Sequence, residues 1–401
     1  MPIAHDSAAR GSHLSGRSPF DLDAPFLSAE HRMLREQIRR FVENEIVPAA
    51  PEWERARRLP RALFLRMGEL GLLGLTFPEE YGGSGMDSLA ALILSEELAR
   101  SGFGGVASSV AVQTDYSASH LVRVGNPEQR ARYLPDVIAG RRICALGITE
   151  PGASSDLNRL ATSARRDGDS YVINGRKTFI TNANFADLFF IVAKTDPEAK
   201  GAKGFSLFIV ERDTPGFSNG TTFEKAGWHC SDTGELVFDD CRVPAANLVG
   251  EPGQGFYHAI AGLEHERVCL AAQAAAMGEL ALTTTVEWLR ERPAYGRRLW
   301  DLQALRHEIA RFGAELAAGK SLLYVAAARA SRGEEIAIEA CMLKALLPEL
   351  VNRILYKCAQ FHGGAGFVKG DLIERLVRDA RFLAVGGGST EVMLDETAKR
   401  L

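Results

Sequence analysis

The sequence predicts an α+β fold in which helices come first, a β segment follows, and a second set of helices closes the chain. Three observations carry this reading. Apolar residues recur at spacings of three to five from about Ser28 to Ala139. Short β-prone runs punctuated by turn residues occupy Cys144 to Phe256. Helical spacing returns from Tyr257 to Leu401, where it suggests an antiparallel bundle. Strands never alternate with helices, so the β segment is expected as a small antiparallel barrel or sandwich rather than a doubly wound parallel sheet. The expected divisions are a tail at 1–27, a helical domain at 28–143, a β-domain at 144–256 and a helical bundle at 257–401.

Taken in order, Ser28 is placed to N-cap a helix carrying Leu34, Ile38, Phe41 and Ile46. Residues 78–85 are dense in turn formers, and a helix resumes at 89–98. Within 170–182, Asn174-Gly175 between β-prone flanks predicts a type I′ hairpin. Further strands are expected at 188–193, 205–210 and 235–238. In the last segment Leu302, Leu305, Ile309, Phe312, Leu316 and Leu323 form one stripe of a long helix. Other helices are expected at 262–289, 336–361 and 371–382.

With 401 residues, 46% hydrophobic and 24% charged, the chain has the balance of a globular protein of two or three domains. A formal net charge of −4 gives no global attraction to nucleic acid or anionic membrane. The apolar runs are too short to span a bilayer. The six cysteines show no CxxC or ligand-like cluster and read as buried thiols of a reducing compartment, so no metal is expected. The first twenty residues lack an apolar core, which argues for a frayed tail rather than a secretory signal and makes the cytoplasm the expected location.

Chemistry concentrates in a few segments. In LGITEPGASSD (146–156), Thr149 is expected to end a strand, and Pro151-Gly152 turns the chain and exposes amides beside Thr149, Ser154 and Ser155. Phe179 and Thr181 are expected on one face of a strand, an aromatic wall beside a hydroxyl that suits a planar ring. By themselves these are also an ordinary turn and hairpin. Further along stand KAGWHCSDTGELVFDDCRVP (225–244), LVGEPGQGF (248–256), ERPAYG (291–296), Gln303, QFHGGAGF (360–367), Arg378-Asp379-Ala380 and GGGSTEV (386–392).

In this order and at these spacings the chain resembles the acyl-CoA dehydrogenase family from about residue 28 to 401. The resemblance implies an N-terminal helical domain, a middle β-domain and a C-terminal four-helix bundle. It also implies a homotetramer with FAD lying between domains and across a subunit interface. On that basis Ile148 and Thr149 would reach the pyrimidine side of the flavin, Thr181 would lie near N5, and Phe179 would replace the family's usual Trp against the ring. Ser155 would lie near the thioester or the pyrophosphate. Arg292, Tyr295 and Gln303 would contact the FAD of a neighbouring subunit, Arg292 as a forked phosphate donor. Gln360, Gly363 and Gly364 would line the same cofactor, and Ser389 and Glu391 would fall by its adenosine half. No GxGxxG follows a strand, so the mode of binding is not that of a Rossmann fold.

The resembled reaction removes an α-proton from an acyl thioester while hydride leaves Cβ for the flavin, and it needs a base. The family's commonest base, the Glu of a Tyr-Glu-Gly-Thr run, falls on Gly387, which has no side chain. In GLEHERV (262–268), Glu266 directly precedes Arg267 at the expected start of the first bundle helix, as in the isovaleryl-CoA and long-chain branches of the family. An acid near a helix N-terminus would also serve as a dipole partner. Glu264 points to another side of the helix, and Glu266 is chosen as the base. The amide of residue 387 would hold the thioester carbonyl, Arg267 would orient the base or the thioester, and the side chain missing at 387 would leave room for a branched or bulky acyl group. The thioester would be carried on CoA or on a carrier-protein arm, and the electrons would pass to an electron-transfer flavoprotein or oxygen. The alternatives are a flavin oxidase or monooxygenase on the same fold, or a DNA-associated flavoprotein; the latter fits poorly with the acidic balance.

Overall fold

A computed structural model describes residues 25–156, 159–199 and 201–401. The expected tail lies mostly at 1–24, outside the described residues. Helix α1 (Ala29–Phe41) starts as expected. The Ser28 hydroxyl accepts from the His31 amide, and the His31 ring accepts from the Ser28 amide, a reciprocal capping box. Leu34, Ile38 and Phe41 are buried beneath it. A π-helical stretch, Val42–Ile46, leads into α2 (Val47–Ala56). Then come α3 (Arg61–Glu69), α4 (Ser88–Ala99), α5 (Gly104–Ala111), a second π-helical stretch (Val112–Ala118), α6 (Ser119–Val124) and α7 (Pro127–Ile138).

Helix α4 is buried on nearly every face, and its Glu96 and Glu97 are buried with it. Such carboxylates need partners. Arg35 pairs with Glu96 at 2.8 Å and Arg39 with Glu97 at 2.8 Å, which fastens α1 to α4.

The middle segment forms one 8-stranded sheet. Its strands are β1 (Cys144–Gly147), β2 (Ser163–Asp167), β3 (Ser170–Thr181), β4 (Leu188–Lys194), β5 (Phe205–Glu211), β6 (Phe217–Thr222), β7 (Thr233–Pro244) and β8 (Leu248–Val249). The order is β6-β7-β3-β2-β4-β5-β8, with β1 added against β4. Pairing is antiparallel as expected except at β1–β4 and β2–β4, which are parallel.

The hairpin expected at Asn174-Gly175 does not form. Both residues lie inside the twelve-residue strand β3, and the turn falls earlier, where Gly168 adopts φ +60° between β2 and β3. The Asn174 side chain reaches across to Asp240 (3.0 Å) instead of closing a turn. Gly175 sits at a bulge with φ +147°, where a Cβ would come within 2.5 Å of Thr162 Oγ1. The dipeptide therefore marks a bulge and a close approach, another use of the same backbone freedom.

The closing helices are α8 (Gly255–Glu291), α9 (Gln303–Ser331), α10 (Ala337–His362), α11 (Leu372–Arg381) and α12 (Thr390–Ala398). A two-strand hairpin, β9 (Pro293–Ala294) with β10 (Arg297–Arg298), joins α8 to α9. Helix α8 packs mainly on α10 and α4. Buried Glu279 of α8 takes Lys320 of α9 at 2.6 Å and Arg100 at 2.5 Å. Asp379 of α11 is wholly buried and accepts from the Gly104 amide (3.0 Å) and the Trp228 amide (2.7 Å). One carboxylate thus clasps the three segments together. All six cysteines are buried free thiols. Among the described residues no helix is long and apolar enough to cross a membrane.

Candidate active site

Strand β1 ends at Gly147, so Thr149 lies two residues beyond it rather than at its end. What fixes this extension is a buried lysine. Lys177 of β3, 0% exposed, donates to the Ile148 carbonyl (3.0 Å) and to the Glu150 carboxylate (2.7 Å). The Thr178 amide donates to the Thr149 carbonyl at 2.9 Å. Glu150 also accepts from the amides of Ala161 (2.6 Å) and Thr162 (3.0 Å). Burial opposes both charges and pulls the Lys177 ammonium down to about 8, whereas Lys177 and the two amides hold the Glu150 carboxyl below its usual range. The pair and the Thr178 amide lock Ile148 and Thr149 against β3. The Pro151-Gly152 turn forms as expected, with Glu150 and Ala153 exchanging backbone hydrogen bonds, and leaves Ser155 exposed.

Simple alternation does not hold between Phe179, which is exposed, and Thr181, which is half-buried. A register shift between Lys177 and Ile180 puts Phe179 at φ +59° with its ring 62% exposed, packed 5.0 Å from Phe223. A large apolar side chain held outward at positive φ is an outlier of the kind that clusters at active sites.

Glu266 lies about three turns inside α8, not at its start as expected. The helix dipole acts only within the terminal turn, so a plain dipole role loses its ground. The side chain is buried, and burial lifts its carboxyl to about 7 against the opposing charges of Arg267 and Lys344. Gly387 has φ +69°, and a Cβ built there would lie 3.1 Å from Glu266 Oε1 and 2.6 Å from Leu270 Cδ1. The Glu266 carboxylate therefore occupies the place toward which a side chain at 387 would project. The extra room expected at Gly387 is absent on that side, because Glu266 and Leu270 fill it. Arg267 Nε lies 3.5 Å from the Gly387 carbonyl oxygen. Glu264 is half-buried in another setting, where burial and Glu335 raise its carboxyl against Arg267, Arg400 and Arg123.

The remaining predicted residues are surface groups. Arg292 caps the end of α8 and stacks over Trp288 (5.4 Å). Trp288 in turn stacks on His362 (4.9 Å between centroids), so His362 has a packing role. Tyr295 is 94% exposed at φ +52°, Gln303 begins α9, and Gln360 is exposed near the end of α10. At Gly363 (φ +59°) and Gly364 a Cβ would meet nothing within 4 Å. Ser389 N-caps α12, and Glu391 lies exposed in its first turn. His229 makes polar contacts with the Lys225 carbonyl (3.1 Å) and Glu54 (3.6 Å). This donor set fits a flavin dinucleotide: outward aromatic rings, a forked cation, and paired glycines that leave open backbone. An unpartnered Tyr116 hydroxyl, buried near Glu266, adds a polar atom awaiting a ligand.

Several groups around Glu266 were not expected from the sequence. Asp115 and Tyr116 come from the second π-helical stretch, and His265 bonds Asp115 at 2.8 Å. Lys344 of α10 is wholly buried and donates to the Gly388 carbonyl at 2.9 Å. Its signal was legible: one lysine in the apolar run CMLKALL.

Family models for acyl-CoA dehydrogenase match as the N-terminal domain (28–141), the middle domain (145–241) and the C-terminal domain (253–401). The long-chain specific acyl-CoA dehydrogenase of Sus scrofa mitochondria is 35% identical over 93% of this chain and 87% of its own. An acyl-CoA dehydrogenase from Geobacillus kaustophilus superposes with a TM-score of 0.91 at 36% identity, covering 94% of this chain and 99% of that one. A glutaryl-CoA dehydrogenase from Mycobacterium smegmatis, solved with FADH2, superposes at 0.89 and 28% identity over 95% and 96%. The chain belongs to the acyl-CoA dehydrogenase family and is an FAD-dependent oxidoreductase acting on the CH–CH group of its donor.

Proposed function

We propose that the chain oxidises an acyl thioester to its 2-enoyl form with Glu266 as the base that takes the α-proton. One observation carries this reading: the Glu266 carboxylate stands where a side chain at Gly387 would be, in a dry setting that lifts it to about 7. A base poised near neutral pH combines a useful ionised fraction with proton affinity. This position favours dehydrogenation over the readings that lack a base. The Gly387 amide would hold the thioester carbonyl, so that the α-proton is acidified as Glu266 approaches it, and Arg267 would steady the turn through the Gly387 carbonyl.

Ile148, Thr149, Ser155, Phe179 and Thr181 would hold the reactive half of FAD. Arg292, Tyr295, Gln303, Gln360, Gly363, Gly364, Ser389 and Glu391 would hold the remainder. When bound, FAD supplies the acceptor for the hydride leaving Cβ. Burying Phe179 and excluding water around Glu266 are tasks of the assembled site. The exposure of Tyr295 (94%) and Phe367 (90%) supports a homotetramer that covers them. CoA is the carrier proposed, an electron-transfer flavoprotein the acceptor and the cytoplasm the compartment. A branched acyl group is proposed on the likeness to the isovaleryl-CoA dehydrogenase of Pongo abelii (34% identical over 91% of this chain), not on space at Gly387.

Anaerobic titration with a panel of acyl-CoAs, read as bleaching of the flavin, tests both parts. Glu266→Gln should abolish bleaching on the catalytic time scale; an unchanged rate would remove Glu266 from the mechanism. If straight butyryl-CoA or octanoyl-CoA clearly outruns branched acyl-CoAs, the acyl proposal falls.

A further inference from the structure

The run Gly386-Gly387-Gly388 has no Cβ atoms to fix it, and Gly387 and Gly388 adopt φ +69° and +105°. Three successive glycines lose much entropy on ordering, so an amide in this turn needs restraint from elsewhere. Two cations supply it. Arg267 of α8 approaches the Gly387 carbonyl, and Lys344 of α10 donates to the Gly388 carbonyl at 2.9 Å. Lys344 is 0% exposed and flanked on α10 by buried Leu343, Ala345 and Leu347. Its Cε lies 3.7 Å from where a Cβ of residue 387 would stand. An ammonium in such a place is costly to bury, and a methionine would fill the volume without that cost.

We propose that Lys344 is a positioning residue for the thioester: it pins the Gly387–Gly388 turn from behind and sets a positive charge behind the carbonyl oxygen that gains negative charge as the α-proton leaves. The proposal rests on the reading of Glu266 as base. The charged and titratable groups that act on Glu266 are His265 and Arg267 from α8, Asp115 and Tyr116 from the π-helical stretch, and Lys344 from α10. Burial draws the Lys344 ammonium below its usual range while the neighbouring Glu266 carboxylate holds it up, and the Lys344 charge in turn opposes the rise of Glu266. Its charge favours the carboxylate; removing it moves the ionisation of Glu266 to higher pH.

The test uses FAD-loaded Lys344→Met and Lys344→Gln, checked for flavin content and circular dichroism. Calorimetry compares two ligands that the oxidised enzyme does not turn over. One is the 2-enoyl-CoA of the best acyl-CoA in the panel, and the other is the S-alkyl-CoA thioether of the same length, which lacks the carbonyl. Lys344→Met should weaken the enoyl thioester roughly tenfold or more, as expected for losing a hydrogen bond from a charged group, and leave the thioether unchanged. The ascending limb of the bleaching rate against pH should move to higher pH. Lys344→Gln, a donor without charge, should recover part of the binding preference but not the position of the limb. Equal weakening of both ligands, or an unmoved limb in both variants, would overturn the proposal. Binding preference is read without turnover, so it still reports on Lys344 if Glu266→Gln were to keep its bleaching and the base assignment failed.

Discussion

Replacing Glu266 by Gln separates the stability role of this carboxyl from its chemistry. In the folded protein the group ionises near 7 instead of 4.5. That difference corresponds to about 3 kcal/mol. The sign follows from the direction of the shift. Below 4.5 the carboxyl is neutral folded and unfolded, and costs nothing. As pH rises toward 7 the unfolded chain sheds the proton first, so the folded state loses stability; above 7 the full cost is present. Glutamine never ionises and has nearly the same shape. Urea unfolding of both proteins at one concentration, at pH 5 and at pH 8, should therefore show the variant gaining about 2–3 kcal/mol on the parent. Over the same change the bleaching rate should fall by about 10²–10⁴, the usual contribution of a general base. A difference independent of pH, or a variant less stable at pH 8, would show that the buried carboxylate is fully satisfied as an ion and would refute the desolvation argument.

Gly387→Ala should slow flavin bleaching and cost about 1–3 kcal/mol, because a Cβ at φ +69° meets Leu270 Cδ1 at 2.6 Å and crowds Glu266; denaturant midpoints and bleaching rates check it. Lys177→Met leaves the Glu150 carboxylate buried without its cation, with a loss of about 3–5 kcal/mol and release of Thr149 from Thr178; the readouts are melting temperature and the FAD retained through gel filtration. Gly387→Glu together with Glu266→Gly should bleach more slowly than the parent, since Leu270 already crowds that volume, and the bleaching rate decides it.

Much of this architecture was legible in sequence because periodicity reports burial. Leu34, Ile38 and Phe41, and later Ile309, Phe312 and Leu316, are all buried, and Ser28 caps its helix as its residue type predicts. The hairpin at Asn174-Gly175 was misread because glycine's freedom serves bulges as well as turns, and only the approach of Thr162 distinguishes the two. Glu266 was legible through what Gly387 lacks. Its depth in α8 was not, since the helix begins at Gly255 after a turn with no strong capping residue. Lys344 shows locally as one charge in an apolar run, but its meeting with Asp115 and Tyr116 around Glu266 joins three distant segments and leaves no local pattern.

The clasp at Asp379 has a consequence for the order in which the protein can be made. The Gly104 amide waits for a carboxylate that lies 275 positions later in the chain, and Arg35 waits still longer for Tyr324. At about 5–20 residues per second the ribosome needs on the order of 15–55 s to cover the first interval. During that time the Gly104 amide at the head of α5 lacks its carboxylate, and until α9 is made Glu96 lacks Tyr324. The family models divide the chain into three, yet the Gly104 amide at the head of α5 takes its acceptor from α11, so a nascent chain halted before α11 should remain sensitive to protease along α5 until synthesis resumes.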